Sequence, residues 1–113
     1  MAMNYSPQIA PRNHGFDPRL ASATILVTTK IHAKISQNTM FLQEVLAAIT
    51  KFGKLDWGDT CKTDADLNAS CLAVNDRLFA VYNTCEGKIY IIADAPPAHK
   101  PYEIITILFP CEY

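Results

Sequence analysis

Apolar residues Phe41, Val45, Ala48, Ile49 and Phe52 recur at i, i+4, i+7, i+8 and i+11 between Asn38 and Phe52, which places them on one stripe of an α-helix. Ser36 or Asn38 can cap its start, Lys51 complements the negative end of the dipole, and Gly53 supplies a left-handed residue to stop it. A second helix is predicted from about Asp64 to Val74, where Leu67, Cys71 and Val74 fall at i, i+4 and i+7 with Leu72 beside them. Thr63 suits its N-cap, Asp66 returns the bond as in a capping box, and Asp64 adds negative charge at the positive helix end. Ala23 to Thr29 is rich in β-branched residues and reads as a short first strand, or as the opening of a helix that continues through Ile31 and Ile35.

Three strands follow, Leu78 to Thr84, Lys88 to Asp94 and Tyr102 to Phe109. Glu86-Gly87 suits a tight turn in which glycine takes a positive φ, so the first two strands form a hairpin. In the last strand Ile105, Ile107 and Phe109 alternate with Ile104, Thr106 and Leu108, so both faces are largely apolar and the strand is central or well covered. Ala95-Pro96-Pro97-Ala98-His99-Lys100-Pro101 cannot donate a regular ladder and is a loop.

These patterns predict an α+β domain over residues 22–113, with two helices packed on a small antiparallel sheet in the order β-α-α-β-β-β. Residues 1–21 hold Pro7, Pro11 and Pro18 and show neither period, so they read as an irregular N-terminal arm outside the domain. The expected core is Ile25, Val27, Phe41, Val45, Ile49, Leu67, Cys71, Leu78, Val81, Ile89, Ile91, Ile105 and Ile107. A chain of 113 residues that is half apolar can bury such a core without disulfide or metal staples.

Charge narrows the function classes. The net charge of -1 weighs against a strongly basic nucleic-acid footprint and against an acidic nucleic-acid mimic. Residues 1–54 hold six Lys or Arg against two acids, and residues 55–113 hold four against nine, an asymmetry read as two solvated faces of one domain. No apolar run approaches the roughly 20 residues of a membrane span. Met1-Ala2-Met3-Asn4-Tyr5-Ser6-Pro7 lacks a basic start followed by an apolar block, so a cytoplasmic protein with reduced thiols is expected. Cys61, Cys71, Cys85 and Cys111 form no CxxC pair and His14, His32 and His99 are scattered, so neither a metal site nor a cofactor is expected.

Few constellations carry chemistry. Asp64-x-Asp66-x-Asn68 opens like a calcium loop, but Ala69 stands where the turn needs glycine and Asn75 where a bidentate Glu is needed, so helix capping explains the acids. Trp57, between Asp56 and Gly58, is a loop anchor or a platform for a partner. A binding surface is placed on Asp56, Trp57 and Asp59 with the loop residues Pro97, His99 and Tyr102. An alternative is a small thiol-dependent hydrolase using Cys111 or Cys61 with His99, and another is weak nucleic-acid binding through Arg12, Arg19, Lys30 and Lys34. An exposed edge strand would offer a route to a homodimer by sheet extension.

Gly53-x-x-Asp56-Trp57-Gly58-Asp59-x-Cys61, then Asp64 and Asn68, Arg77-Leu78-x-x-Val81-Tyr82, Lys88-Ile89-Tyr90-Ile91-Ile92 and Thr106-Ile107-Leu108-Phe109-Pro110-x-Glu112-Tyr113 form an ordered pattern. It resembles small proteins carried on plasmids and integrative elements of gut and other Gram-positive bacteria, labelled plasmid-related or type I restriction subunit M. The resemblance covers about residues 24 to 113. A restriction methyltransferase subunit needs an Asn/Asp-Pro-Pro-aromatic motif, whereas Asp94-Ala95-Pro96-Pro97-Ala98 has neither that adjacency nor the aromatic. The chain also has Tyr90 where the family often has Trp. The resemblance therefore implies a non-enzymatic accessory protein of a mobile element that acts on another protein, without a membrane or cofactor.

Overall fold

The computed structural model describes residues 2–4 and 15–113. The elements run β1 (Ala2–Asn4), β2 (Thr24–Thr28), α1 (Thr29–Gln37), α2 (Thr39–Gly53), α3 (Lys62–Ala73), β3 (Leu78–Thr84), β4 (Gly87–Ala93), β5 (Ile104–Leu108) and a 3-10 turn at Pro110–Glu112. The fold is α+β, as the periodicities predict. Both readings of the first β-branched run hold in part, because it is a strand up to Thr28 and a helix from Thr29. Thr28 makes that switch by accepting a hydrogen bond from the Ile31 N–H as N-cap of α1.

The sheet has the order β1-β2-β5-β4-β3 and is mixed, which corrects the expected antiparallel arrangement. β2 runs parallel to β5, with Ile25 beside Ile105 and Val27 beside Ile107, whereas β4 pairs antiparallel with both β5 and β3. Strand periodicity carries no direction, so two apolar strands far apart in sequence read the same whether they pair parallel or antiparallel. β5 is central, between β2 and β4, but only one of its faces is fully covered: Ile105 and Ile107 are buried, whereas on the other face Ile104 is exposed, Thr106 half-buried and Leu108 buried. On the helix-covered face Ile25, Val27, Ile89, Ile91, Ile105 and Ile107 meet Ile31, Ile35, Phe41, Val45, Ile49 and Phe52 in one core. Each large aliphatic side chain buried there contributes roughly 1.5–3 kcal/mol before entropy.

Several boundaries have physical causes that periodicity alone misses. Residues 15–21 belong to the domain rather than to an outlying arm. Phe16 and Leu20 are buried in the core, the Asp17 N–H donates to Gly53 O (2.7 Å), and the Tyr102 N–H donates to Arg19 O (2.9 Å). Of the rest of the expected arm, Ala2–Asn4 form β1 against β2 and so join the sheet, while residue 1 and residues 5–14 lie outside the described residues. Gly53 is not the left-handed stop of α2. Leu55 takes that conformation (φ 66°), with the Asp56 N–H closing back on Lys51 O, while Gly53 is small because the Phe16 ring lies against it. A Cβ on Gly53 would sit 2.5 Å from that ring.

The second predicted helix forms, but rotated from its expected face. Leu67 and Val74 are exposed, Cys71 is half-buried, and the buried residues are Asn68 and Leu72. Its N-cap is Cys61 with no side-chain cap bond, so Thr63 lies inside the helix and the expected capping box is absent. Val81 also departs from the expected core, being half-buried on the opposite face of the sheet.

What α3 does instead is close the edge of β3. Asn68 donates its amide to Phe79 O (2.7 Å) and accepts from the Phe79 N–H (3.0 Å), reproducing with one side chain the two bonds of a neighbouring strand. Loss of both should leave two strand-edge groups unpaired, at about 1–3 kcal/mol each where buried. Asn68→Ala is accordingly expected to lower unfolding stability by at least about 2 kcal/mol in urea titration, and Thr63→Ala to change it by less than about 0.5 kcal/mol. Equal effects of the two substitutions would contradict this account of α3.

Candidate functional site

The Trp-Gly-Asp element lies along the same strand edge. The Asp59 N–H donates to Val81 O (2.9 Å), Asp59 Oδ2 accepts from the Asn83 N–H (2.9 Å), and Thr60 Oγ1 accepts from the Val81 N–H (2.9 Å). Asp56 Oδ1 accepts from the Gly58 N–H, and the Thr60 hydroxyl donates to Trp57 O. Trp57 is half-buried and packs edge-on against Phe52, with ring centroids 5.4 Å apart. Gly58 is left-handed (φ 61°), and a Cβ there would meet the Tyr82 ring at 2.3 Å. Tyr82 donates its hydroxyl to Asp56 O (2.8 Å), and burial pushes its ionisation up. Asp56, Trp57 and Asp59 are thus tied into a lid on β3.

The other half of the expected surface divides in two. Tyr102 is fully buried and donates its hydroxyl to Asp76 O, so it is a core anchor and not a surface residue. Pro97 and His99 are exposed on the loop, His99 in a left-handed conformation (φ 63°). This loop is fastened through Lys100 O, which accepts from the Asn75 amide (3.0 Å), while the Trp57 segment is fastened to Val81 and Asn83.

The thiol and histidine pairs do not converge. His99 precedes the amino end of β5 and Cys111 follows its carboxyl end, so the strand's length, about 13 Å, lies between them. Cys61 caps the amino end of α3, whereas the His99 loop is tied to Asn75 beyond its carboxyl end, about 18 Å along the helix. All four cysteines are free, and no group of three or more metal-ligating side chains occurs among the described residues. No helix among those residues is long and apolar enough to cross a membrane.

Of the basic residues singled out in the sequence, Arg12 lies outside the described residues. Arg19 is held by both oxygens of Asp17 (2.8 and 2.7 Å), and its guanidinium keeps the Asp17 carboxyl below the usual range. Lys30 and Lys34 are brought to a groove of about 670 Å³ between α1, the tip of the β3-β4 hairpin and the turn after β5. Its lining adds Lys88 and Glu86 at the hairpin, with Ala33, Phe109 and Pro110 as an apolar floor and Cys111 at the rim. The groove sits where the parallel strands β2 and β5 both end, the end of a parallel pair at which α/β sheets form binding crevices.

Its walls are fixed from beneath. The Thr28 hydroxyl donates to Glu112 Oε1 (2.7 Å), which also accepts from the Phe109 N–H (2.9 Å), fastening the final turn to the start of α1. Phe109 stacks on the fully buried Phe41 at 5.8 Å between centroids. Across the groove Asn38, the N-cap of α2, donates to Glu86 Oε2 (2.8 Å), and Lys34 pairs with Glu86 Oε1 (3.4 Å). Lys88, Phe109 and Pro110 escaped the sequence reading because they join α1 only through folding. Lys30 and Lys34, one turn apart on the polar side of α1, are the one local signal.

Comparison with known proteins matches this chain to no family model, no curated protein and no solved structure.

The Asn38 amide, aided by the Lys34 charge, holds the Glu86 carboxyl below its ordinary value of 4.5. A depressed folded-state value contributes stability that is present above the unfolded pKa and lost as pH falls through the folded one. Wild type is therefore expected to melt above Glu86→Gln at pH 7, with the gap closing as pH drops below about 4.5. A gap of constant size across that range, read by thermal unfolding, would show that the carboxylate does not fasten the groove. Gly58→Ala should cost roughly 2–4 kcal/mol in the same assay, from strain and overpacking against Tyr82 together.

Proposed function

We propose that this chain is a non-enzymatic accessory protein of a mobile element, working in the cytoplasm, and that it docks another protein in the groove beside α1. The observation that carries the binding part is the groove's make-up: three lysines and an apolar floor share one concavity, held rigid by Thr28, Asn38 and Glu112. The accessory role in a mobile element is supported by the residue pattern from Gly53 to Tyr113. Much of that pattern has a structural duty, since Asp56, Gly58, Asp59 and Asn68 serve the edge of β3. Such positions preserve a fold and leave partner choice to the groove.

That edge also bears on self-association. With Phe79, Val81 and Asn83 already bonded by Asn68, Thr60 and Asp59, β3 offers no free ladder for a second copy, so sheet extension at this edge is not a route to a homodimer.

The test is affinity capture from a host extract with wild type, the double variant K30E/K88E and the surface control Lys62→Glu, all three first shown to melt cooperatively. At least one protein should be recovered by wild type and the control, and reduced about tenfold or more by K30E/K88E, as loss of two charge contacts allows. Recovery of nothing above background, or of the same set by all three, would refute the reading.

A further inference from the structure

Resting on that docking reading, we infer that the groove takes an acidic segment of its partner, with carboxylates gripped by Lys30 and Lys88 and an apolar side chain between them seated on Ala33, Phe109 and Pro110. Charge complementarity is the first ground. Among the described residues the lining contains one carboxylate, Glu86, and it is already engaged by Asn38 and Lys34. Lys30 donates to the Cys111 sulfur (3.9 Å), but neither it nor Lys88 is in an ion pair among the described residues, so both present their charge to whatever enters.

The second ground is where Lys30 stands. It lies in the first turn of α1, at the positive end of the helix dipole, where a cation is disfavoured and an anion is stabilised. That turn contains no acidic residue of its own. Among the described residues Glu112, whose Oε1 accepts from the N-cap Thr28 hydroxyl and the Phe109 N–H, is the one carboxylate bonded at that helix end, without an ion pair to Lys30. A carboxylate from outside would meet the helix end and the Lys30 ammonium group together.

An acidic peptide suits the site better than a nucleic acid does. Single strands are held by stacking on free aromatic faces, and the one aromatic of the lining, Phe109, already stacks on Phe41 within the core. The floor of Ala33, Phe109 and Pro110 instead offers burial to an aliphatic or aromatic side chain.

Fluorescence anisotropy with the full chain and three labelled probes tests this. The probes are a peptide of about twelve residues with Asp-Glu pairs flanking a central Leu, its Asn/Gln isostere, and a single-stranded oligonucleotide of similar length. The acidic peptide should bind at least about tenfold tighter than the isostere, weaken as salt rises, lose binding in K30E/K88E and retain it in K30R/K88R. Equal binding of the isostere, lost in K30E/K88E, would overturn the acidic ligand while leaving the docking groove standing. Tighter binding of the oligonucleotide, or no binding by any probe, would overturn the inference outright. The capture experiment decides the docking reading separately, because it presents native partners of any composition.

Discussion

A strand at the rim of a sheet must satisfy its outward N–H and C=O groups, and the arrangement of residues 56–83 follows from that requirement at β3. Phe79 gives both backbone groups to Asn68, Val81 gives one to Thr60 and one to the Asp59 backbone, and Asn83 gives its N–H to the Asp59 carboxylate. For these bonds to form, the chain leaving α2 must turn sharply at Leu55 and Gly58 and run beside the strand. α3 must then roll until Asn68 faces Phe79. That rotation leaves Leu67 and Val74 in solvent, where a helix packed over the sheet face would have buried them.

The groove is the counterpart at the other end of the sheet. There β2 and β5 end side by side, α1 starts at once from Thr28, and the chain after β5 turns back through Pro110 to place Glu112 under the same threonine. One carboxylate thus links a helix cap to the closing turn, and the space left between α1 and the hairpin tip is walled by lysines over an apolar floor. Each wall is a short local segment, but the segments lie far apart in sequence and meet only through folding.

Legibility followed the range of the forces. The stripe from Phe41 to Phe52 and the alternation in β3, β4 and β5 are local signals set by burial on one face, and those elements stand within a residue or two of expectation. The periodicity predicts α3 but not the face it buries, because an apolar stripe reports which face would pack against an oily neighbour, and its neighbour here is a polar strand edge. The parallel pairing of β2 with β5 and the burial of Phe16, Leu20 and Tyr102 depend on contacts across the whole chain, which no local period encodes. For the same reason the expected surface of Asp56, Trp57, Asp59, Pro97, His99 and Tyr102 divides into a strand lid, an exposed loop and a core anchor. Of the groove's lining, Lys30, Lys34 and Cys111 are named in the sequence, the lysines for nucleic-acid binding and the cysteine for thiol chemistry.

β5 has a consequence for how the protein is made. It is translated after every strand that it joins, yet it bridges β2 to the β3-β4 hairpin, setting Ile104 beside the much earlier Thr24. Until it emerges from the ribosome, the long side of β4 and the inner side of β2 lack their partner, and a greasy ribbon stands open to other nascent chains. Completion of the sheet is then a late, long-range closure, of the kind whose loop-closure entropy slows folding.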